Sequence, residues 1–194
     1  MIIAGVDEAG RGALAGPVVA GAVFDSDPLL AMGKQLEIKD SKILTESQRE
    51  EVYKWIVESC DYEVEIVDAE EVDKIGIKKA TNKAMQMAVH KLCKTPDELW
   101  VDGRDRFIFD IPSKDFVKGD AKYLCISAAS IIAKVTRDRL MIEYSKKYPE
   151  FSFESHKGYG AATHLDLLRK EIYSPIHRKT YDPLRTVLTQ GKLF

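Results

Sequence analysis

The first 24 residues hold two apolar, β-branched segments separated by a glycine-rich stretch, and this pattern constrains the fold most. Ile2–Asp7 predicts a strand that ends in an acid, and Pro17–Phe24 predicts a second strand. Gly10, Gly12 and Ala15 match a dinucleotide-binding GxGxxA pattern, but a strand follows where that pattern needs a helix. The segment therefore predicts a sheet whose first turn exposes backbone N–H groups to a substrate.

Beyond this segment, the pattern places strands in the first two thirds of the chain and helices mainly in the last third. Thr45 and Gln48 form a capping box that predicts a helix through about Ser59. Lys122–Tyr148 is the longest helical pattern, and Pro149 ends it. The other predictions are an irregular segment at Pro28–Asp40, strands at Tyr62–Val67 and Glu98–Val101, an apolar run at Phe107–Ile111, and helices at Lys78–Lys94, Thr163–Ile172 and Pro183–Thr189. This order predicts a mixed α/β sheet with helices packed on it, in one domain with at most a small appendage.

The formal net charge of -2 on 194 residues argues against a strongly basic nucleic-acid coat protein and an acidic disordered chain. Residues 1–102 carry 12 Lys and Arg against 20 Asp and Glu, whereas residues 103–194 carry 17 against 11. This asymmetry fits a carboxylate site beside a polyanion-binding surface, and it equally fits chance distribution over a solvated surface. Three separate cysteines (Cys60, Cys93 and Cys125), no secretory signal and no apolar stretch of membrane length predict a soluble, cytoplasmic protein.

Four acidic residues stand at positions that favour a metal site. Asp7 and Glu8 end the first predicted strand, Asp102 ends a later one, and Asp120 precedes the long predicted helix. Acids at the ends of paired strands converge, and carboxylates without His or Cys suit Mg²⁺ or Mn²⁺, including a two-ion site for phosphodiester cleavage. Two alternatives stay open: Asp102 with the glycine after it also fits a hairpin turn, and Asp120 also fits an acid that stabilises a helix N-terminus.

Cations are concentrated around the long predicted helix and in the segment after it. They could neutralise phosphates, and Tyr159 in the segment His156–Tyr159 could stack on a base or sugar. Equally, the helix cations fit a solvated face, and Tyr159 fits a loop anchor packed on the core. These cations are Lys114, Lys118, Lys122, Lys134, Arg137, Arg139, Lys146, Lys147, Lys157, Arg178 and Lys179.

Eight motifs occur in one order and together resemble ribonuclease HII over nearly the whole chain, from residue 2 to about residue 185. They are DEAGRG (Asp7–Gly12), LAGPVVAGAV (Leu14–Val23), DSK (Asp40–Lys42), VDG (Val101–Gly103), KGD (Lys118–Asp120), SAASIIAKVTRDR (Ser127–Arg139), HKGY (His156–Tyr159) and IHR (Ile176–Arg178). The resemblance implies a ribonuclease-H-like fold, with a mixed five-stranded sheet flanked by helices. It also implies a single catalytic domain over residues 1–194, in which residues 161–194 form a short helical C-terminal extension.

The resemblance implies a metal-dependent endonuclease that uses Mn²⁺ or Mg²⁺. The expected substrates are the RNA strand of RNA–DNA hybrids and duplex DNA that contains ribonucleotides. Incision is expected on the 5′ side of an embedded ribonucleotide, with 3′-hydroxyl and 5′-phosphate ends as products. The implied role is removal of ribonucleotides during DNA replication and repair.

The resemblance also assigns residues by motif. The implied catalytic and metal-binding residues are Asp7, Glu8, Asp102 and Asp120, and the implied substrate-binding residues are Gly10, Arg11, Gly12, Lys42, Lys118 and Tyr159. The glycine loop is expected to read the ribose 2′-hydroxyl, which distinguishes RNA from DNA, and Tyr159 to stack at the junction between ribonucleotide and deoxyribonucleotide. Asp138 is expected to form a structural ion pair. One departure is Ala161, which stands where the family usually has Thr.

The last five residues, Gln190–Phe194, resemble a bacterial sliding-clamp-binding pentapeptide, with Gly191 where Leu is usual; an apolar tail that folds back on the helices fits equally well. We expect a monomer with no membrane contact. Two other functional classes fit the sequence less well. A silent hybrid-binding module would gain nothing from carboxylates beside phosphate, and the basic second half with Tyr159 argues against a phosphoesterase for small esters.

Overall fold

The computed structural model describes residues 1–36 and 44–190, and within them a five-stranded sheet forms the centre of the fold. The strands are β1 (Ile3–Ala9), β2 (Val18–Phe24), β3 (Tyr62–Val67), β4 (Glu98–Asp102) and β5 (Ser113–Phe116). They lie in the order β3-β2-β1-β4-β5; β2 is antiparallel to β1 and β3, whereas β1, β4 and β5 run parallel. The predicted mixed five-stranded sheet is confirmed.

Helices cover both faces of this sheet. The helices are α1 (Asp27–Leu36), α2 (Glu46–Ser59), α3 (Ala69–Ile75), α4 (Ile77–Lys91), α5 (Leu124–Lys147), α6 (Phe153–His156), α7 (Ala162–Arg169) and α8 (Leu184–Gln190). One hydrophobic core joins α3 and α4 to the sheet, and a second core joins α1, α2 and α5 to its other face. Among the described helices, none combines the length and apolar character needed to cross a membrane.

Two glycines let the long helix α5 lie unusually close to the centre of the sheet. A Cβ on Gly5 of β1 would lie 2.2 Å from the carbonyl carbon of Cys125, and one on Gly21 of β2 would lie 2.5 Å from the carbonyl oxygen of Ala129. Any side chain at these positions would push α5 away, because backbone atoms cannot move aside as a flexible side chain can. The glycines therefore fix the distance between α5 and the strand that carries Asp7.

Several local predictions are confirmed. Thr45 caps α2 as expected: its Oγ1 accepts from the Gln48 N–H at 3.2 Å, and the Gln48 side chain accepts from the Thr45 N–H at 2.9 Å. β3 has the predicted bounds, and α5 begins two residues later than predicted. The delay has a structural cause, since a 3-10 turn (Gly119–Ala121) stands before the helix.

Other local predictions are wrong. The irregular segment predicted from Pro28 is helical up to Leu36, and α3 was not predicted at all. The fifth strand lies at Ser113–Phe116, after the apolar run that the sequence singled out. β5 is an edge strand whose side chains are mostly exposed, so few of its residues need to be apolar. Its sequence therefore lacks the alternation of apolar and polar residues that predicts a strand.

Candidate metal and substrate site

Three carboxylates meet at one edge of the sheet. β1 and β4 run parallel with Val6 beside Val101, so the next residues along, Asp7 and Asp102, occupy neighbouring positions. Asp120 lies in the 3-10 turn between β5 and α5. Carboxylate oxygens of Asp7, Asp102 and Asp120 all lie within 4.8 Å of one another. We call these three residues the carboxylate cluster.

The turn before α5 holds two members of this cluster together. The backbone N–H of Gly119 donates to Asp102 Oδ1 at 2.6 Å. A Cβ on Gly119 would lie 2.7 Å from Ile126 Cδ1 and 3.0 Å from Phe116 Cβ, so glycine permits this close approach. The hairpin interpretation of Asp102 is wrong, because β4 and β5 are parallel and no two-residue hairpin joins them. Asp120 lies in the first turn of the 3-10 helix before α5, so the structure agrees with an acid near a helix N-terminus and also places it in the carboxylate cluster.

Burial and like charge make the carboxylate cluster unfavourable without a cation. Asp7 is 5% exposed, and burial, followed by the charges of Glu8 and Asp102, holds the pKa of its carboxyl well above the ordinary value. A hydrogen bond with Ser130 partly opposes this rise. Three oxygen donors with no His or Cys among them are the ligand chemistry that Mg²⁺ and Mn²⁺ prefer. The residues present therefore fit a divalent metal.

Glu8 lies beside the carboxylate cluster but is not one of its members. Burial raises the pKa of Glu8, and the Arg11 guanidinium, with Nη1 3.3 Å from Oε1, opposes that rise. Arg11 also pairs with Asp105 in the segment after β4. Although successive strand residues usually point in opposite directions, the side chain of Glu8 is hydrogen-bonded to Asp7 at the end of β1, and both line the same cleft.

This cleft has a volume of about 400 Å³ and brings most of the predicted residues together. Besides Asp7, Glu8 and Asp102, it is lined by Gly10–Gly12 and Tyr159, which we call the loop surface. Arg49, Ser130 and Lys134 complete its polar lining. Lys134 lies 2.6 Å from Asp138, which confirms the structural ion pair predicted for that acid.

The two glycines of the loop surface differ in why glycine is needed. Gly10 has φ +93°, and a Cβ there would lie 2.0 Å from Nε of Arg137 and 2.7 Å from the carbonyl oxygen of Pro17. Among residues 1–36 and 44–190, and apart from its own chain neighbours, no atom lies within 4 Å of the position that a Cβ on Gly12 would take. Gly10 is therefore required by the fold, whereas Gly12 leaves open space in the cleft for a close ligand.

A buried arginine of α5 holds the loop between β1 and β2. Arg137 is 1% exposed and donates to the carbonyl oxygens of Ala15 (3.0 Å), Pro17 (2.9 Å) and Lys157 (2.9 Å). Burial lowers the pKa of this guanidinium to about 10, so it remains charged at neutral pH. Its hydrogen bonds join the loop to the turn that carries Tyr159.

A second buried arginine holds the same loop from the C-terminal part of the chain. Arg178 donates to the carbonyl oxygen of Gly16 at 2.9 and 3.1 Å and to that of Arg11 at 2.8 Å. The Tyr181 hydroxyl donates to the same Arg11 carbonyl at 2.9 Å. The prediction that Arg137 and Arg178 neutralise phosphates is wrong, because both are buried and bonded to backbone carbonyls.

Tyr159 presents its ring to the cleft rather than packing it on the core. Tyr159 is 39% exposed, and the guanidinium carbon of Arg137 lies 5.3 Å from the centroid of its ring. The turn beneath it is fixed to the glycine loop, because the Gly158 carbonyl accepts from the N–H of Leu14 at 2.8 Å. Gly158 has φ +83°, and a Cβ there would lie 2.5 Å from the Ala15 carbonyl oxygen. A base or sugar can therefore reach one face of the ring.

The remaining predicted residues lie elsewhere. Lys118 is exposed and adopts a left-handed backbone conformation beside Asp120, outside the lining of the cleft. Lys42 lies outside the described residues, as does the pentapeptide beyond Gln190, the last residue of α8. Ala161 is the N-cap residue of α7 and supplies no capping hydrogen bond from its side chain.

Two lining residues, Arg49 and Ser130, were not predicted. Ser130 lies inside the motif Ser127–Arg139, which was the one signal that could have found it. Arg49 lies on α2 and donates to the Leu44 carbonyl at 2.8 Å, and no sequence signal marks it. Its place in the cleft depends on how α2 packs beside α5.

Comparison with known proteins places this geometry in a family. A family model described as Ribonuclease HII matches residues 4–183. Ribonuclease HII of Endomicrobium trichonymphae is 45% identical over 194 residues, which cover 98% of this chain and 90% of the relative.

Solved structures of ribonucleases H2 and HII have the same fold as this chain. The ribonuclease H2 from Pyrococcus horikoshii OT3 aligns with a TM-score of 0.85 and 31% identity over 100% of both chains. A chain in the structure of the PCNA:RNase HII complex from Archaeoglobus fulgidus aligns with a TM-score of 0.80 and 28% identity, covering 94% of this chain and 96% of that one. The predicted ribonuclease-H-like architecture is confirmed.

Proposed function

Because the chain belongs to the ribonuclease HII family, we propose that it incises duplex DNA on the 5′ side of an embedded ribonucleotide. As a member of that family it is a metal-dependent endoribonuclease that acts on RNA paired with DNA. One observation supports the finer substrate: a single cleft holds Asp7, Asp102, Gly10–Gly12 and the exposed ring of Tyr159. The corresponding role is ribonucleotide removal during DNA replication and repair.

In this proposal the carboxylate cluster holds the divalent metal. Asp7, Asp102 and Asp120 supply the oxygen ligands, and Glu8 adds negative charge beside them. The bound metal supplies Lewis acidity toward the phosphate and water of lowered pKa. Arg11 offsets part of the negative charge beside the metal site, since its guanidinium pairs with both Glu8 and Asp105.

The hydrolysis needs no nucleophilic side chain. Water attacks the phosphorus on the 5′ side of the ribonucleotide, and the bond from phosphorus to the 3′ oxygen of the preceding nucleotide breaks. That oxygen takes up a proton, and water gives one up. The products carry a 3′-hydroxyl on the upstream strand and a 5′-phosphate on the ribonucleotide. The chain contributes position and charge, which supply much of the rate of phosphoryl transfer.

The loop surface gives the proposed selectivity. The 2′-hydroxyl is the group by which a protein distinguishes RNA from DNA at one nucleotide. The open space at Gly12 lets the sugar approach the backbone closely, and the fixed conformation at Gly10 keeps that backbone in one arrangement. Tyr159 stacks on the nucleotide beside the scissile phosphate, because its ring face is accessible from the cleft.

One assay tests this proposal. The protein is incubated with duplex DNA that contains a single ribonucleotide, with all-DNA duplex and with RNA–DNA hybrid, each with Mg²⁺, with Mn²⁺ and with chelator. We expect metal-dependent incision 5′ to the ribonucleotide and none of the all-DNA duplex. Cleavage of the hybrid alone would contradict the finer proposal while leaving the family activity intact. Asp166→Asn, at an exposed acid of α7, serves as a charge-matched control for carboxylate variants.

Tyr159 is tested separately, with two substitutions. Tyr159→Ala removes the stacking face, whereas Tyr159→Phe keeps the ring and removes only the hydroxyl. We expect the Ala variant to lose about tenfold or more in the preference for the single-ribonucleotide substrate, since one base stacked on an aromatic ring contributes about 1–3 kcal/mol. The Phe variant is expected to retain that preference. Equal preference in all three proteins would rule out the stacking role.

We also propose that the C-terminal pentapeptide Gln190–Phe194 binds a sliding clamp. The relative from Archaeoglobus fulgidus was solved as a PCNA:RNase HII complex, which supports contact with a clamp of this class. Here the first residue of the pentapeptide, Gln190, is the last residue of α8. Deletion of residues 190–194 is expected to abolish clamp binding in a pull-down and to leave cleavage of free substrate unchanged. Unchanged clamp binding would refute the assignment.

A further inference from the structure

Three histidines lie side by side beneath Tyr159, and the proposed chemistry uses none of them. His164 is 0% exposed and His177 is 1% exposed. The ring of His156 stacks on that of His164, with centroids 4.6 Å apart and an interplanar angle of 14°. Burying polar rings is unfavourable unless each ring nitrogen has a partner, so the partners of these nitrogens show what the group is for.

A continuous line of short polar contacts runs from a backbone amide through two histidines to Tyr159. The N–H of Ser174 lies 2.8 Å from Nδ1 of His177. Nε2 of His177 lies 2.8 Å from Nε2 of His164. Nδ1 of His164 lies 2.8 Å from the carbonyl oxygen of Tyr159. Every ring nitrogen of the two buried histidines is thus engaged.

The two ends of this line require the same direction of hydrogen bonding. A carbonyl oxygen only accepts, so His164 carries its hydrogen on Nδ1 and, as a neutral ring, accepts at Nε2. A backbone amide only donates, so His177 accepts at Nδ1 and carries its hydrogen on Nε2. The central contact then has one donor, His177, and one acceptor, His164. Ser174 also offers its hydroxyl at 2.9 Å and its carbonyl at 3.3 Å, but the amide contact is the shortest.

His156 fits the same scheme independently. Its Nδ1 accepts from the Gly158 N–H at 3.2 Å, which leaves the hydrogen on Nε2, where the Phe151 carbonyl oxygen lies 2.8 Å away. Each of the three rings therefore has at least one backbone partner: Gly158 and Phe151 for His156, Tyr159 for His164, and Ser174 for His177.

We propose that His164 and His177 are positioning residues for Tyr159: as neutral rings of opposite tautomer they fix the carbonyl of Tyr159 and, through it, the ring that faces the cleft. The proposal rests on the stacking role of Tyr159 put forward above. It concerns orientation alone, and neither histidine touches substrate or metal.

A positive charge on either ring would interrupt this line. Protonated His164 would present an N–H to the N–H of His177, and protonated His177 would present one to the amide of Ser174. The surroundings oppose such charge. Burial lowers the pKa of His164 and lowers that of His177 to about 4, and the neighbouring His156 acts in the same direction. The remaining faces of the rings pack against phenyl groups of Phe151 and Phe153.

The tautomers can be observed directly. Long-range proton–nitrogen NMR correlation on the isotope-labelled full chain at neutral pH reports which ring nitrogen carries hydrogen. We expect the hydrogen on Nε2 of His177, on Nδ1 of His164 and on Nε2 of His156. His90, which is exposed and lies 3.6 Å from the exposed carboxylate of Asp110, gives the reference signal of a ring at the surface. A hydrogen on Nε2 of His164, or a charged ring at either buried position, would overturn the proposal whatever the activity of the protein.

The functional consequence is tested with two variants of similar size. His164→Asn keeps an N–H donor for the Tyr159 carbonyl, whereas His164→Leu removes it. We expect His164→Leu to raise the KM for single-ribonucleotide duplex by up to about tenfold with kcat changed by less than about twofold, since one hydrogen bond contributes about 1 kcal/mol. His164→Asn is expected to restore most of the affinity, and His90→Leu to change nothing. Equal KM in the Asn and Leu variants would refute the positioning role.

A double variant separates this proposal from the one it rests on. In a Tyr159→Ala background, His164→Leu should have no further effect on KM, because the ring to be positioned is gone. A full additional effect would show that His164 acts elsewhere. If Tyr159→Ala alone changes nothing, the stacking role fails, and the NMR result still decides whether the histidine line exists.

Discussion

Two members of the carboxylate cluster, Asp7 and Asp102, line the same cleft as the loop surface, but the cluster and the loop surface differ in how their polar groups are held. Asp7, Asp102 and Asp120 bring like charges within 4.8 Å, and the pKa of Asp7 is raised by burial and by neighbouring acids. The loop surface rests on neutral carbonyls that receive hydrogen bonds from two buried guanidinium groups, Arg137 and Arg178.

This difference separates two tasks. Binding of a cation between like-charged carboxylates lowers the free energy of the folded protein, so their mutual repulsion supports metal affinity. A loop whose carbonyls already accept hydrogen bonds gains no such bonds by moving, which favours the single conformation that we propose for substrate recognition. One side of the cleft is therefore prepared for a ligand that lowers its energy, and the other is rigid before any ligand arrives.

The strongest test of this contrast is Asp7→Asn. Cleavage should fall by roughly 100- to 1000-fold, as when one electrostatic group of a catalytic site is removed. Without metal, however, the variant should unfold at a higher temperature than the wild type at neutral pH, because the carboxyl whose pKa is raised in the folded state destabilises the fold when ionised. In the wild type this penalty disappears as pH falls through the raised pKa toward the unfolded value of 3.8.

Thermal unfolding with chelator and with Mg²⁺ measures both halves of this prediction. Mg²⁺ should raise the Tm of the wild type and of Asp166→Asn, and should raise that of Asp7→Asn much less. A metal-free Asp7→Asn protein that is less stable than the wild type would show that Asp7 is not under electrostatic stress.

The opposite effect on stability is expected for Arg137→Lys, because Arg137 supports the backbone beneath the loop surface. This variant should be less stable than the wild type. A single ammonium cannot reach the three carbonyls that the guanidinium serves, and each buried acceptor left unsatisfied costs about 1–3 kcal/mol. We expect a loss of about 3 kcal/mol in urea unfolding. Arg139→Lys, on the same helix but exposed and paired with Glu50, should change stability by less than about 0.5 kcal/mol.

The two glycines refine the comparison within the loop surface itself. Gly10→Ala should destabilise the fold by about 1–3 kcal/mol, because it combines a positive φ with a clash against Arg137. Gly12→Ala should leave the Tm nearly unchanged and lower kcat/KM on ribonucleotide substrates, because its methyl group would occupy open cleft. Similar unfolding profiles for the two variants would remove the distinction between a fold glycine and a substrate glycine.

The smallest effect is expected at Ala161, the N-cap of α7. Ala161→Thr adds a hydroxyl that can accept from the backbone N–H two or three residues on, at a backbone conformation of φ -65° and ψ 152° that suits a cap. Stability should rise by about 1 kcal/mol in urea unfolding, and cleavage should be unchanged. A loss of stability would mean that the hydroxyl disturbs His164, the third residue of that helix.

Much of the fold follows from local patterns. The strands before and after the glycine loop, the capping box of Thr45 and the long helix α5 all have signals within a few residues. β5 lacks such a signal, because an edge strand is stabilised mainly by what it pairs and packs against. The signal for α3 is local and was missed: Asp68 caps the helix by accepting from the Glu71 N–H at 2.8 Å, and a cap residue followed three residues later by Glu is typical of a helix start.

By itself, the sequence determined the acids that end strands, the glycines between β1 and β2, and the family motifs. Only the tertiary structure decided that Asp102 and Asp120 join Asp7 while Glu8 pairs with Arg11, and that Arg137 and Arg178 are buried. The physical reason is that a charge is stabilised by its partners rather than by its neighbours in the chain. Arg137 finds its acceptors more than 100 residues away, at Ala15 and Pro17, and no pattern near Arg137 encodes them.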